Sequence, residues 1–407
     1  MVNTITTGYT GDLIPERISH KELEVPPENV KTLAVRDFDL AQLDLLTELV
    51  AEMPNVQLVD LHFRYHDETG GPESDVDPVL STDFLSGHNG IEHILFEGGE
   101  RGLHSPAVKS IDLSGLSRLP GLRHLSFSSM INLRWLDLSP LSRSRKIRDI
   151  SFDSLRSVPT PMLRRVDLTG LNRCSSLTKL HISARCLDEL DLSSLDGSES
   201  LERLSIGDVN THVEEEWDEY VSKDTTEVIS SPVDSEDKML ELRVPRCEYL
   251  QVLTVDEHTR TTIGERPMTS KFKEIDLTNL EYCEQLKELE IIGQGIFRID
   301  LSPLQNNEAL SYIRLRRNDN LAEIDISPVL PLVSRLRGCH FDKYVRHSVF
   351  DESSKRSQDV LGPLIKYRAS REMEPYYNEA FRVMFVDLLP VPGVLTLVPQ
   401  PIDIEWY

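Results

Sequence analysis

Residues 310–336 read LSYIRLRRNDNLAEIDISPVLPLVSRL. The first part runs Leu310-x-x-Ile313-x-Leu315-x-x-Asn318, and the second Leu321-x-x-Ile324-Asp325-Ile326-Ser327-Pro328. Both place apolar residues at extended-chain spacing, and the unit returns upstream at intervals of 24 or 25 residues. A unit this short cannot bury an apolar face by itself. Stacked on copies of itself it can, which is the physical basis of a solenoid.

Working outward, the first part recurs as Leu122/Leu125/Phe127, Ile147/Ile150/Phe152, Leu177/Leu180/Ile182, Leu201/Leu204/Ile206, Leu250/Leu253/Val255 and Leu286/Leu289/Ile291. The second recurs as Ile111-Asp112-Leu113-Ser114, Leu136-Asp137-Leu138-Ser139, Val166-Asp167-Leu168-Thr169 and Leu190-Asp191-Leu192-Ser193, and again at Ile275 and Ile299. Two extended segments therefore close each coil. The hydroxyl residues Ser114, Ser139, Thr169, Ser193, Thr278, Ser302 and Ser327 stand where an N-cap would start a short convex turn, with Pro140, Pro303 and Pro328 at the first helical position. The aspartates of the same segments recur once per coil, about 4.8 Å apart if the coils stack as strands do. They have no converging second ligand type, and the expectation is structural hydrogen bonding or a solvated ridge.

LxxLxLxxN at Leu310 to Asn318, followed by a convex segment and repeated through residues 30–340, resembles the leucine-rich repeat family. The asparagine is missing from most other coils, where Ser, Asp or Gly appear nearby. The resemblance implies an α/β leucine-rich repeat solenoid with a parallel concave sheet, short helical or extended convex segments and protein binding on the concave side. Strands are expected at Val30-x-x-Leu33-x-Val35 and Val56-x-x-Val59-x-Leu61, with a helix from about Asp39 to Met53 between them. Residues 1–29 read as a lead-in. Residues 341–407 read as a helical cap, because Tyr377, Ala380, Phe381, Met384, Phe385 and Leu388 follow helical spacing and Pro390 follows the end. Short strands are expected after it, at Val394–Val398 and Ile402–Trp406. A cap covers the open edge and core of a terminal coil. A separate recognition module is the other reading of this region.

The array is broken by an acidic insertion at 207–238, which holds Trp217 and Tyr220 among many carboxylates, and by a shorter one at 256–270. A run of like charge cannot form a packed core. The first insertion is therefore a solvated linker or an acidic docking element.

The whole chain has 68 acidic against 44 basic residues, a formal charge of -24. That field repels polyphosphates and anionic membranes, which argues against general nucleic-acid binding and against membrane association. It serves either solubility or the steering of cationic partners. Neither a secretory signal nor a membrane-spanning run is legible. Cys174, Cys247 and Cys283, three of five cysteines, each stand three residues before the first leucine of an LxxLxL strand. They read as reduced core residues, and with the amino terminus they lead to a cytoplasmic location.

No nucleophile elbow, phosphate loop or paired-histidine zinc helix is present, so no catalytic residue, cofactor or metal ligand is expected. The glycines at 98–102 lack the lysine and hydroxyl of a phosphate loop, and the carboxylates at 67–77 do not match a calcium loop. His62 and His66 read as surface histidines. In LxxLxL strands the side chains between the leucines point away from the core. They include His124, Asp149, Lys179, His181, Arg203, Tyr312 and Arg314, continuing to Arg316 and Arg317. The last coil concentrates positive charge beside a tyrosine, and Tyr and Arg dominate binding energy at many interfaces. The expected function is a non-catalytic protein-interaction scaffold. The alternatives are a regulator of a small GTPase or other enzyme, and an enzyme in the carboxy-terminal region.

Overall fold

In the computed structural model, the described residues are 4–7, 27–63, 79–98, 108–153, 163–207, 240–256, 272–332 and 336–341, with gaps of one or two residues, and the strands at 346–350, 388–391 and 394–397. Contacts divide the chain into two units, one built on Met1–Leu201 and one on Glu202–Gly207 with Asp237–Tyr407.

In the first unit, seven parallel strands lie side by side in chain order: Thr4–Thr7, Thr32–Phe38, Leu58–Phe63, His93–Glu97, His124–Ser128, Asp149–Asp153 and Lys179–Ser183. The final apolar pair of each LxxLxL segment falls at alternate strand positions, so Val59 and Leu61, Ile94 and Phe96, and Leu125 and Phe127 are buried while the residues between are half-exposed. The register then sets like against like. Phe96 lies opposite Phe127, and Phe127 opposite Phe152. Their rings stack at 5.4 and 5.0 Å between centroids, continuing from Phe38 through Phe63. This buried aromatic spine joins five successive strands.

Coil length is less uniform than the repeat suggests. His124 pairs with Asp149, 25 residues on, but Asp149 pairs with Lys179, 30 residues on. The extra residues fall between the paired strands, so the register is kept.

Three Asp-bearing segments and Val79–Ser81 form a second, four-stranded parallel sheet, in the order Arg165–Asp167, Trp135–Asp137, Ser110–Asp112, Val79–Ser81. Turns of 3-10 helix follow at Ser114–Arg118, Ser139–Arg143, Leu171–Arg173 and Ser193–Leu195. The expectation that the hydroxyl residues cap these turns is not met. The flanking residues Leu113, Leu138 and Leu192 provide no side-chain cap. The aspartate does the work instead. Its Oδ1 accepts the backbone N–H two residues on, in Ser114 (2.9 Å), Ser139 (2.7 Å), Thr169 (2.8 Å) and Ser193 (2.8 Å). Aspartate is preferred for such local bonds because its short carboxylate reaches its own backbone. The proline of Ser139-Pro140 sits at the start of its turn as expected. Gly115 lets two coils approach, since a Cβ there would overlap the backbone of Thr82.

The segment between the second and third strands forms the helix Leu43–Ala51, shorter than the span from Asp39 to Met53 that periodicity suggests. Pro54 disfavours helical backbone at Met53, where the chain turns through Met53 N–H to Val50 O. Thr4–Thr7 pairs parallel with Thr32–Val35, so a strand precedes residue 30.

In the second unit, Arg203–Gly207, Val252–Asp256, Glu288–Ile292, Tyr312–Arg316 and Gly338–Phe341 are parallel neighbours in that order. Leu240–Arg243 pairs parallel with Phe272–Asp276, and the same aspartate bond recurs at Thr278 and Ser302. Asn318, 1% exposed, donates through Nδ2 to Ile291 O and accepts from the Gln294 N–H, joining successive coils. Gln294 occupies the corresponding position one coil earlier and donates to Ile292 O. Asn307 bonds Cys283 O and the backbone N–H groups of Ala309 and Leu310.

Glu323–Asp325 pairs parallel with Arg346–Phe350, which pairs antiparallel with Val394–Leu397, itself antiparallel to Leu388–Val391. Leu388 and Pro390, read from sequence as the end of a helix and its stop, thus lie in a strand. The rest of that expected helix, the strand expected at 402–406 and the acidic insertion with Trp217 and Tyr220 lie outside the described residues, as do most of the shorter insertion and the carboxylate and glycine loops. No helix among the described residues is long and apolar enough to cross a membrane.

Candidate functional site

Strand alternation and parallel register together carry the outward side chains into rows. In the first unit one row runs His93, His124, Asp149, Lys179, and the next Leu95, Ser126, Ser151, His181. The His93 and His124 rings stack 4.5 Å apart and within 3° of parallel. Burial holds the His124 imidazole below its ordinary value near 6.5, with His93, Arg123 and Arg148 acting in the same direction and Asp149 against it. Ser151 Oγ donates to Ser126 Oγ at 3.0 Å. Lys179 is exposed, while Asp149 and His181 are half-buried. The structure thus brings four of the expected residues, His124, Asp149, Lys179 and His181, onto adjoining strands of one unit.

In the second unit one row runs Arg203, Val252, Glu288, Tyr312, and the next Ser205, Thr254, Glu290, Arg314. Arg314 reaches Glu290 at 3.1 Å, lies 5.0 Å over the Tyr312 ring and donates to the Tyr312 hydroxyl. The concentration of positive charge read from the last coil is therefore corrected. Glu290 matches the Arg314 guanidinium, and exposed Glu288 stands opposite Tyr312. The acidic partners come from the preceding coil, 24 residues earlier, and only the register brings them alongside. Arg316 lies opposite Ile292 and is half-buried. Arg317 is outside the described residues.

A third cluster was not legible from local spacing. Asp60 and His62 occupy alternate positions of Leu58–Phe63 and share a face, and the register sets His62 directly opposite Glu97. His62 Nε2 lies 2.8 Å from Glu97 Oε2 and 3.0 Å from Asp60 Oδ1. The three side chains are 13%, 12% and 14% exposed, in the order His62, Glu97, Asp60. His62 is thus no simple surface histidine. Its partner Glu97 is 35 positions away in sequence, whereas His66 is outside the described residues. Among the described residues these three are the group whose donor atoms converge closely enough for a metal, all within 4.8 Å of one another.

The cysteines at the shared repeat position are buried, and desolvation raises the Cys174 thiol to about 11. Such a group is a poor nucleophile. Parallel strands in repeat register, each followed by a turn and a second extended segment, with Asn318 bonding across coils, decide the architecture. Each unit has the leucine-rich repeat fold. No protein-family profile and no curated protein matches the chain. Solved structures similar to it include a leucine-rich repeat protein of Leptospira interrogans, 12% identical with a TM-score of 0.42, over 82% of this chain and 70% of that one. An internalin of Listeria monocytogenes is 12% identical with a TM-score of 0.38, over 77% and 76% of the two chains. Internalin C2 of the same organism is 14% identical with a TM-score of 0.32, over 71% and 82%. The leucine-rich repeat assignment rests on the repeat and register of the chain itself.

Proposed function

We propose that the chain is a non-catalytic protein-recognition module that takes its partner on the outward rows of its parallel strands, in a reducing compartment such as the cytoplasm. One observation carries the binding reading: the rows present pre-positioned polar and aromatic groups, of which Tyr312, Arg314 and Glu290 are held to one another by an ion pair and a ring contact. An arginine already fixed against a tyrosine loses less freedom on binding than a free one, and Tyr and Arg are enriched where interface energy concentrates. Mixed charge within three of the four rows favours a partner of complementary pattern over a polyanion. Burial of Cys174, Cys247 and Cys283 at one repeat position of the core is consistent with thiols kept reduced.

The test compares proteins captured from native lysate on the full chain, on a Lys179→Ala/His181→Ala variant, on a Tyr312→Ala/Arg314→Ala variant, and on a Trp135→Ser variant altered in the other sheet. A protein held by the wild type and the Trp135 variant, but released by one of the row variants, supports the reading. Equal capture by all four removes the rows from the account.

A further inference from the structure

We propose that Asp60, His62 and Glu97 form a binding site for one divalent transition cation of the zinc class. Two carboxylates converge on a single imidazole nitrogen, at 2.8 and 3.0 Å. That nitrogen carries at most one hydrogen and can donate well to only one of them. All three donor atoms lie within 4.8 Å of one another, so one cation can face them together. A cation bound to nitrogen and oxygen at about 2.1 Å keeps those atoms roughly 3.0–3.4 Å apart, from octahedral to tetrahedral angles. The two nitrogen–oxygen spacings need to open by only a few tenths of an ångström.

The backbone holds the donors in place. Asp60 and His62 project from one strand two positions apart, Glu97 comes from the next strand in register with His62, and both strands belong to one unit. In the neighbouring strands Ala34 lies opposite Asp60 and Ser128 opposite Glu97. The donor set of one imidazole and two carboxylates suits zinc better than calcium or magnesium, which prefer oxygen alone. Three protein ligands leave at least one position open for water or for a donor from a bound partner.

The full chain, stripped with a chelator, is titrated with zinc chloride by calorimetry, with calcium and magnesium chloride as comparators. The site predicts one equivalent of zinc, and at least about tenfold weaker binding in Glu97→Gln and in His62→Ala, each checked for folding by circular dichroism without metal. In parallel, diethylpyrocarbonate labelling of His62 in the wild type is read by peptide mass spectrometry. Zinc should suppress that label, and this measurement stands even when a variant fails to fold. No zinc uptake, unchanged affinity in folded variants, or undiminished His62 labelling at saturating zinc would overturn the proposal and leave a histidine held between two carboxylates.

Discussion

At the scale of single residues, the chain is held by side chains that bond the backbone of a neighbouring coil. Asn318 satisfies Ile291 O and the Gln294 N–H from inside the core. Asn318→Ala removes both bonds from a dry place, and chemical denaturation should show a loss of about 1–3 kcal/mol. His124 makes a different prediction. Its folded-state pKa lies below its unfolded value near 6.5, so the unfolded chain binds the proton more readily. Stability is then complete above that value and falls as pH drops toward the folded one. His88, also lowered by burial, acts in the same window. Thermal melts between pH 7 and 5 should therefore show a shallower decline in His124→Asn than in the wild type, with some slope remaining. The asparagine was legible as a repeat position, and the outward histidine as a strand position. The stacking of His93 on His124 was not, because it depends on which coil follows which.

At the scale of elements, two devices repeat. The first is the aspartate that holds the N–H two residues on and so sets each short turn. Hydrogen bonds from Thr169 and Thr278 pull the Asp167 and Asp276 carboxyls below their ordinary value of 3.8. Their contribution is present above that pH and is lost as pH falls through the folded values. Asp167→Ala should cost about 1 kcal/mol at neutral pH, by analogy with other local capping bonds, and Thr169→Ala should leave the backbone bond in place. The sequence reading gave the cap to the hydroxyl because Ser and Thr are good caps. The geometry prefers the aspartate, which stands two residues earlier and faces the free N–H. The second device is the phenylalanine spine. Phe127→Ala removes a ring stacked on both Phe96 and Phe152, and equilibrium unfolding should register about 3–5 kcal/mol. These phenylalanines were readable as core positions from LxxLxL spacing. The ends of the helix Leu43–Ala51 and the strand Leu388–Val391 were misplaced, since periodicity does not register where a turn or a long-range strand pairing overrides local preference.

At the scale of the whole molecule, sequence periodicity and strand register agree across both units, and the outward rows follow from that agreement. Lys179 and His181 in one unit and Tyr312 and Arg314 in the other were identifiable from alternation alone. Their partners were not: Glu290 and Glu97 become neighbours of Arg314 and His62 only through pairing between coils. Charge was thus read one strand at a time, and the apparent basic patch became a mixed one. The central claim is that partners are recognised on these rows. Its most direct measurement places a photo-crosslinking amino acid in the full chain at Lys179 or Glu288, both exposed on outward rows, and at Trp135 or Phe297, both exposed outside these strands. After irradiation in native lysate, the account predicts a discrete crosslinked protein from a row position and none in common with the other two. Crosslinks that arise equally from all four, or only from Trp135 and Phe297, would contradict it.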